Sequence, residues 1–125
     1  MRRIAILALA ATAFVLPAAA DGDAEKGKAA FAKCAACHEI GAGASNKIGP
    51  ELNGVVGRKP ASVEGFSYSS AMTAYGEANP AWTEELLMTY LENPLKVVKG
   101  TKMAFAGIKK PEERANVIAY LKSNP

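Results

Sequence analysis

This chain is poor in the residue types on which most metal and catalytic chemistry is built. Its 125 residues include one histidine, one tryptophan and two cysteines. A tetrahedral zinc site is one ligand short, because no fourth Cys or His exists beyond Cys34, Cys37 and His38. A disulfide between Cys34 and Cys37 would close a tiny loop and leave the histidine without a role. No segment alternates apolar and polar residues as a half-buried strand does, so the expected fold class is all-α. Long apolar runs are also missing. The one from Ile4 to Val15 falls short of the roughly 20 residues a membrane-spanning helix needs.

That short run lies in "MRRIAILALAATAFVLPAAA", where Arg2 and Arg3 precede it and small residues follow it. This order is that of a secretory signal peptide over residues 1–20, cleaved after Ala20, and it places the mature protein in the periplasm with no membrane insertion after cleavage. Removing those 20 residues from 125 leaves 105, enough for one domain over residues 21–125. Without Arg2 and Arg3 the 15 basic residues fall to 13 against 12 acidic, a balance that gives no reason to expect nucleic-acid binding. Charge is uneven, however. Lys96, Lys99, Lys102, Lys109 and Lys110 lie between Asn93 and Pro111 without one Asp or Glu, a pattern that suits docking to an acidic partner.

Helical signals occupy the two ends of the domain. Asp23 precedes an Ala- and Lys-rich run in which Ala30, Phe31 and Cys34 recur at helical spacing, predicting a first helix over about 24–37. In "WTEELLMTYLENP" Thr83 is a cap, Glu84 and Glu85 suit the positive helix end, and Pro94 is the stop, with Leu86, Leu87, Tyr90 and Leu91 forming the apolar face. "KKPEERANVIAYLKSNP" repeats the logic, with Pro111 in the first turn, Val117, Ile118 and Leu121 inward, and Lys122 at the negative end. From Gly41 to about Pro80 the residues are dense in Gly, Pro, Ser and Asn, and most of this span is expected to be loop. So long a loop in so small a domain needs an organiser, and a large bound cofactor is the simplest one.

Cys34-Ala35-Ala36-Cys37-His38 supplies the clue. C-x-x-C-H is the attachment signature of c-type haem: thiols at i and i+3 lie on one side of a helical turn and can each add to a vinyl group, while the neighbouring imidazole points at iron. A thioredoxin-like dithiol would need a strand before the motif, and none is present. Since His38 is the only imidazole, the opposite axial position is open or taken by a different donor, and a thioether suits it. Met88 lies within a regular helix, where packing is the usual role. Met72 and Met103 both fall in segments read as irregular; Gly100, Thr101 and Gly107 describe a tight loop that favours Met103.

"GPELNGVVGRK", "GFSYSSAM", "WTEELLMTYLENP" and "GTKMAFAGIKK", in this order behind the haem signature, resemble the class I c-type cytochromes, in particular the bacterial periplasmic proteins related to mitochondrial cytochrome c. The resemblance runs from Gly22 to Asn124. It implies a small helical cytochrome c fold with long loops wrapped around one haem c, covalent through Cys34 and Cys37, its iron held by His38 and Met103. It implies further that the Pro50 carbonyl accepts the other ring N–H of His38, and that Arg58, Tyr68 and Trp82 meet a haem propionate. Tyr90 and Thr101 would order the methionine side and Phe105 would shield the haem edge. Gly27, Phe31 and Tyr120 would join the first and last helices. One departure is visible: Met72 stands where mitochondrial relatives carry an Asn that helps fix internal water.

The implied function is a soluble periplasmic single-electron carrier, an electron-transfer protein rather than an enzyme, acting as a monomer. Lys33, Lys47, Lys96, Lys99, Lys102, Lys109 and Lys110 resemble the family's ring around the exposed haem edge. That ring would meet acidic faces on membrane redox complexes: a cytochrome bc complex on one side, and a terminal oxidase, a peroxidase or a photosynthetic reaction centre on the other. Two other classes compete with this expectation, namely a haem enzyme or ligand sensor in which Met103 leaves the iron, and a protein without haem.

Overall fold

Asp23 starts the first helix. Its carboxylate accepts the backbone N–H of Glu25 at 2.9 Å and of Lys26 at 3.2 Å, satisfying donors that the first turn leaves free. In this computed structural model, which describes residues 22–125 together with Ala8, Ala10 and Ala11, that helix is α1, Ala24–Ala30. The signal peptide expected over residues 1–20 lies, those three alanines apart, outside the described residues. Four helices follow: α2 Ser70–Ala78, α3 Glu84–Glu92, α4 Pro94–Val97 and α5 Pro111–Lys122. No strand occurs among the described residues, in keeping with the all-α expectation.

Three boundaries differ from the sequence reading. The first helix does not continue to residue 37; it tightens at Phe31–Lys33 into a 3-10 turn, and the two cysteines lie in turns held by Cys34 N–H to Phe31 O at 2.7 Å and Cys37 N–H to Cys34 O at 3.1 Å. Ala and Lys favour α and 3-10 geometry alike, so composition could not separate them. The second difference is α2, which stands inside the span expected to be mostly loop and carries Met72 in its first turn. Its start is capped by the Ser69 hydroxyl, which accepts the Met72 N–H at 3.0 Å. Its interior glycine, a helix breaker by propensity, is required by packing: a Cβ on Gly76 would lie 2.3 Å from the Pro60 carbonyl oxygen. Third, Pro94 ends α3 as expected but also opens α4, with Asn93 accepting the Lys96 N–H at 3.2 Å.

Thr83 caps α3 as anticipated, accepting the Leu86 N–H at 3.0 Å. Leu87, Tyr90 and Leu91 are buried on α3, and Val117, Ile118 and Leu121 on α5, with Leu86 at the edge of the same face. The loop between α1 and α2 is tied down by side chains and by distant backbone. Asn53 exchanges two bonds with the Gly41 backbone at 2.7 and 2.8 Å, and Gly57 and Arg58 donate to and accept from Trp82, each at 2.8 Å.

The two chain ends meet where α1 crosses α5. Gly27 is in contact with the α5 backbone: a Cβ there would sit 1.8 Å from Asn116 O and 2.9 Å from Tyr120 Cβ. Phe31 meets Tyr120 edge-on at 5.4 Å, and the Asn116 side chain accepts the Asp23 N–H at 2.8 Å. Gly27, Phe31 and Tyr120 therefore form the helix contact that the sequence suggested. Gly27→Ala forces the helices apart and is expected to lower stability by about 2 kcal/mol or more, read from the urea midpoint of the purified protein.

Candidate functional site

Both potential iron ligands come from irregular backbone made rigid by hydrogen bonds. His38 follows the turn of the two cysteines, its N–H bonded to Cys34 O at 2.9 Å. The ring nitrogen Nδ1 lies 2.7 Å from the Pro50 carbonyl oxygen. A carbonyl only accepts, so Nδ1 carries the proton and Nε2 keeps its lone pair for a metal. Gly49 supports the other face of the ring, where a Cβ would lie 2.4 Å from Cε1 and 2.7 Å from Nδ1. Burial is the main influence on this imidazole and lowers its pKa below the usual histidine value. The Pro50 bond opposes that shift, while the charges of Arg58 and Lys47 add to it. Histidine is thus neutral at pH 7, the form that ligates.

Met103 is fixed from the other side of the molecule. Its N–H donates to the Thr101 hydroxyl oxygen at 3.2 Å, and the Tyr90 hydroxyl donates to its sulfur at 3.3 Å. Burial, the dominant cause, pushes the Tyr90 phenol up to about 12 against the pull of a hydrogen bond with Thr101, so it remains a protonated donor at neutral pH.

Between these two groups lies a cavity of about 200 Å³, lined by Cys34, Cys37, His38 and Pro50 and also by Tyr68, Tyr90, Thr101, Met103 and Phe105. A deeper one of about 90 Å³ is bounded by Arg58 and Trp82 and shares Cys34, His38, Tyr68, Met72, Tyr90 and Met103 with the first. Every residue expected from the sequence to contact a cofactor therefore lines one or other of two adjoining spaces. The cysteines are not bonded to each other. Burial raises the Cys34 pKa more than Lys33 lowers it, which keeps a protonated thiol and argues against a low-pKa redox dithiol. Among the described residues no three His, Cys, Asp or Glu side chains cluster as a metal site would require, so zinc has no support. Two thiols on one wall, an imidazole beside them, a thioether facing the same space and an apolar lining together fit a c-type haem.

Of the three residues expected to meet a propionate, Arg58 is the one whose side chain already donates within the protein. Arg58 donates to Glu51 Oε1 at 3.3 Å, to Asn53 O at 2.9 Å and to Glu51 O at 3.0 Å, so the guanidinium already has protein acceptors. Tyr68 accepts the Val63 N–H at 3.0 Å and keeps its own hydroxyl proton to give. Trp82 is buried beside Tyr90, ring centroids 4.8 Å apart. Of the lysines, Lys33 and Lys102 stand at the cavity mouth. Lys33 is paired with Glu113, Lys102 donates to Ser67 O at 3.3 Å, and Lys47 donates to Ala35 O at 3.2 Å. Lys109 turns back onto Glu92 O at 2.7 Å; Lys96, Lys99 and Lys110 are exposed but do not line the cavity. Sequence reasoning missed Gly49, whose only signal was its place beside Pro50, and Glu51, an acid seven residues before Arg58.

The family model for cytochrome c matches residues 24–125. The chain belongs to the cytochrome c family. It is 54% identical over 100 residues to the cytochrome c-550 of Nitrobacter winogradskyi, covering 80% of this chain and 89% of that one. It is 43% identical over 122 residues to the cytochrome c2 of Blastochloris viridis, covering 98% of this chain and 93% of that protein. The solved cytochrome c2 from Rhodospirillum centenum superposes with a TM-score of 0.76 at 39% identity, over 82% of this chain and 98% of that one. Like the cytochromes it resembles, the chain is an electron carrier, not an enzyme, and its cofactor is haem c. Since Gly49 leaves the imbedded ring no room to shift, Gly49→Ala is expected to break the Nδ1–Pro50 bond and cost the holoprotein about 2 kcal/mol, measurable by urea unfolding followed in the visible band.

Proposed function

We propose that this carrier works in the periplasm, exported by residues 1–20 and released by cleavage after Ala20, and that it runs as a monomer between membrane redox complexes. The alignment with the Blastochloris viridis cytochrome c2 over 98% of this chain supports an N-terminal segment in common with that relative. The donor on this reading is a quinol-oxidising cytochrome bc complex; the acceptor is a terminal oxidase, a peroxidase or a photosynthetic reaction centre. When bound, the haem supplies an iron that takes up and gives back one electron.

Each residue around it has a definable task. Cys34 and Cys37 would hold the group by thioethers, and His38 through Nε2 and Met103 through its sulfur would ligate the iron, which would leave no site for an exogenous substrate. Pro50 and Gly49 fix the imidazole. Tyr90 and Thr101 fix the thioether, and the Tyr90 hydrogen bond draws density from sulfur, which favours the reduced state. Arg58, Tyr68 and Trp82 set the polarity of the deep end, and Phe105 shields the mouth. The observation that carries the reading is that His38 and Met103, the one with its tautomer set and the other held through its sulfur, line the same apolar space.

The visible spectrum of the ferric holoprotein tests it: a sulfur-to-iron charge-transfer band should be present at neutral pH and lost in Met103→Ala, with covalent haem retained in both.

Lys33, Lys47, Lys96, Lys99, Lys102, Lys109 and Lys110 form the docking ring on this reading, with Lys33 and Lys102 at its centre. Neutralising Lys102 is expected to slow association with an acidic partner several-fold, on the order of threefold at low ionic strength, and to leave the midpoint potential nearly unmoved. Lys33 should contribute less, because Glu113 already offsets its charge. Stopped-flow rates measured against salt concentration would show equal values for wild type and variants if the ring had no part in docking.

A further inference from the structure

Arg114 is a charged side chain buried in the first turn of α5, 7% exposed, and it lines neither cavity. Buried cations persist only where acceptors surround them. Here Nη1 donates to Ile108 O at 2.8 Å and to Lys109 O at 3.2 Å, Nη2 lies 4.0 Å from a Glu92 carboxylate oxygen, and Nε has no partner. The two carbonyls belong to the segment that leaves the Met103 loop. That same piece is closed onto the end of α3, where the Ile108 N–H donates to Leu91 O at 2.7 Å and a Cβ on Gly107 would lie 2.1 Å from Glu92 O.

The other end of the loop is secured by Thr101, whose N–H reaches Val98 O at 3.1 Å and whose hydroxyl accepts from Met103. From Lys102 to Gly107 the only hydrogen bond made by a main-chain N–H is that of Met103 to Thr101, so the main chain is anchored mainly at its two ends, with the Tyr90 hydroxyl on the Met103 sulfur and Lys109 on Ala106 O between them. We propose that Arg114 is a positioning residue for the axial thioether: by clamping the Ile108 and Lys109 carbonyls to α5 it sets how often the Met103 loop opens and exposes the iron. The proposal rests on the reading of Met103 as the sulfur ligand. Because α5 packs on α1, which leads into His38, the clamp also ties both ligands to one rigid joint.

Opening is read directly by an added ligand. In the ferric holoprotein, imidazole replaces the thioether at a rate limited by loop opening, followed by stopped-flow at neutral pH. Removing the donor to the buried Ile108 carbonyl and the partly buried Lys109 carbonyl in Arg114→Met is expected to speed replacement about tenfold or more while the helical circular dichroism is kept. Ile118→Ala is the control: it removes buried volume from the same helix without touching either cavity, and it should lower global stability with little change in the imidazole rate. An unchanged rate in Arg114→Met, or an equal rise in both variants, would overturn the proposal. If Arg114→Met yields no holoprotein, Arg114→Lys carries the same test, since one ammonium lacks the planar fork, and a rise of about threefold is expected. A wild-type protein without the sulfur-to-iron band would refute the ligand assignment instead, whatever the Arg114 variants did.

Discussion

Where α1 crosses α5, the backbone of one helix touches that of the other, because Gly27 has no Cβ to keep them apart and Asn116 O occupies the space one would fill. The rest of the architecture is referred to this contact. α1 runs directly into the turn that carries Cys34, Cys37 and His38, and α5 carries Arg114 beneath the segment that leaves Met103. A helix separated by one methyl group would shift both walls of the cavity. Interiors packed at crystal density do not absorb such a change locally, so the joint fixes the distance between imidazole and thioether more firmly than either loop could.

The two ligands are held by opposite kinds of chemistry. His38 is constrained by an acceptor with no proton to give and by a glycine against its ring, which together set its tautomer and orientation. Met103 has a flexible side chain and its sulfur is constrained by one donor: the buried Tyr90 hydroxyl finds its partner in the sulfur itself. Phenol burial favours the neutral form, and it is the neutral form that donates. An electron carrier needs little movement between oxidation states. Pre-set ligands supply that, since neither side chain has to be recruited when the charge at iron changes.

The functional motif and its chemistry were legible in the sequence because they are local. Cys34, Cys37 and His38 lie within five positions, Thr83 and Pro94 bracket α3, and Pro111 opens α5. What stayed hidden depends on residues distant in the chain. α2 contains Gly76, which local propensity counts against a helix; only the nearness of Pro60, sixteen residues earlier, explains why glycine stands there. The same holds for Glu113 at Lys33 and for Lys109 on the end of α3. Charge counted along a sequence shows how many lysines a segment has, not how many remain free. The resemblance to class I cytochromes supplied the Met103 assignment and the residues of the deep end, which spacing and periodicity left open between Met72 and Met103.

The Arg58–Glu51 pair carries a consequence for the deep end of the site. An arginine placed alone beside the cavity would contribute a full positive charge in a medium where interactions reach far. With Glu51 Oε1 at 3.3 Å and two backbone carbonyls closer still, that charge is largely met within the protein. Arg58 is then a poised donor, not a free cation: an acidic group entering the deep end must compete with Glu51 for the guanidinium, or share it. Both side chains are partly exposed, so water can take up the acceptor that loses. Met72 on the same wall adds no donor to the competition, and the hydrogen bonds available there reduce to those of Arg58, Tyr68 and Trp82. The electrostatics of this end therefore depend on how firmly Glu51 holds the guanidinium, whereas at the mouth the lysines are exposed and screened by salt.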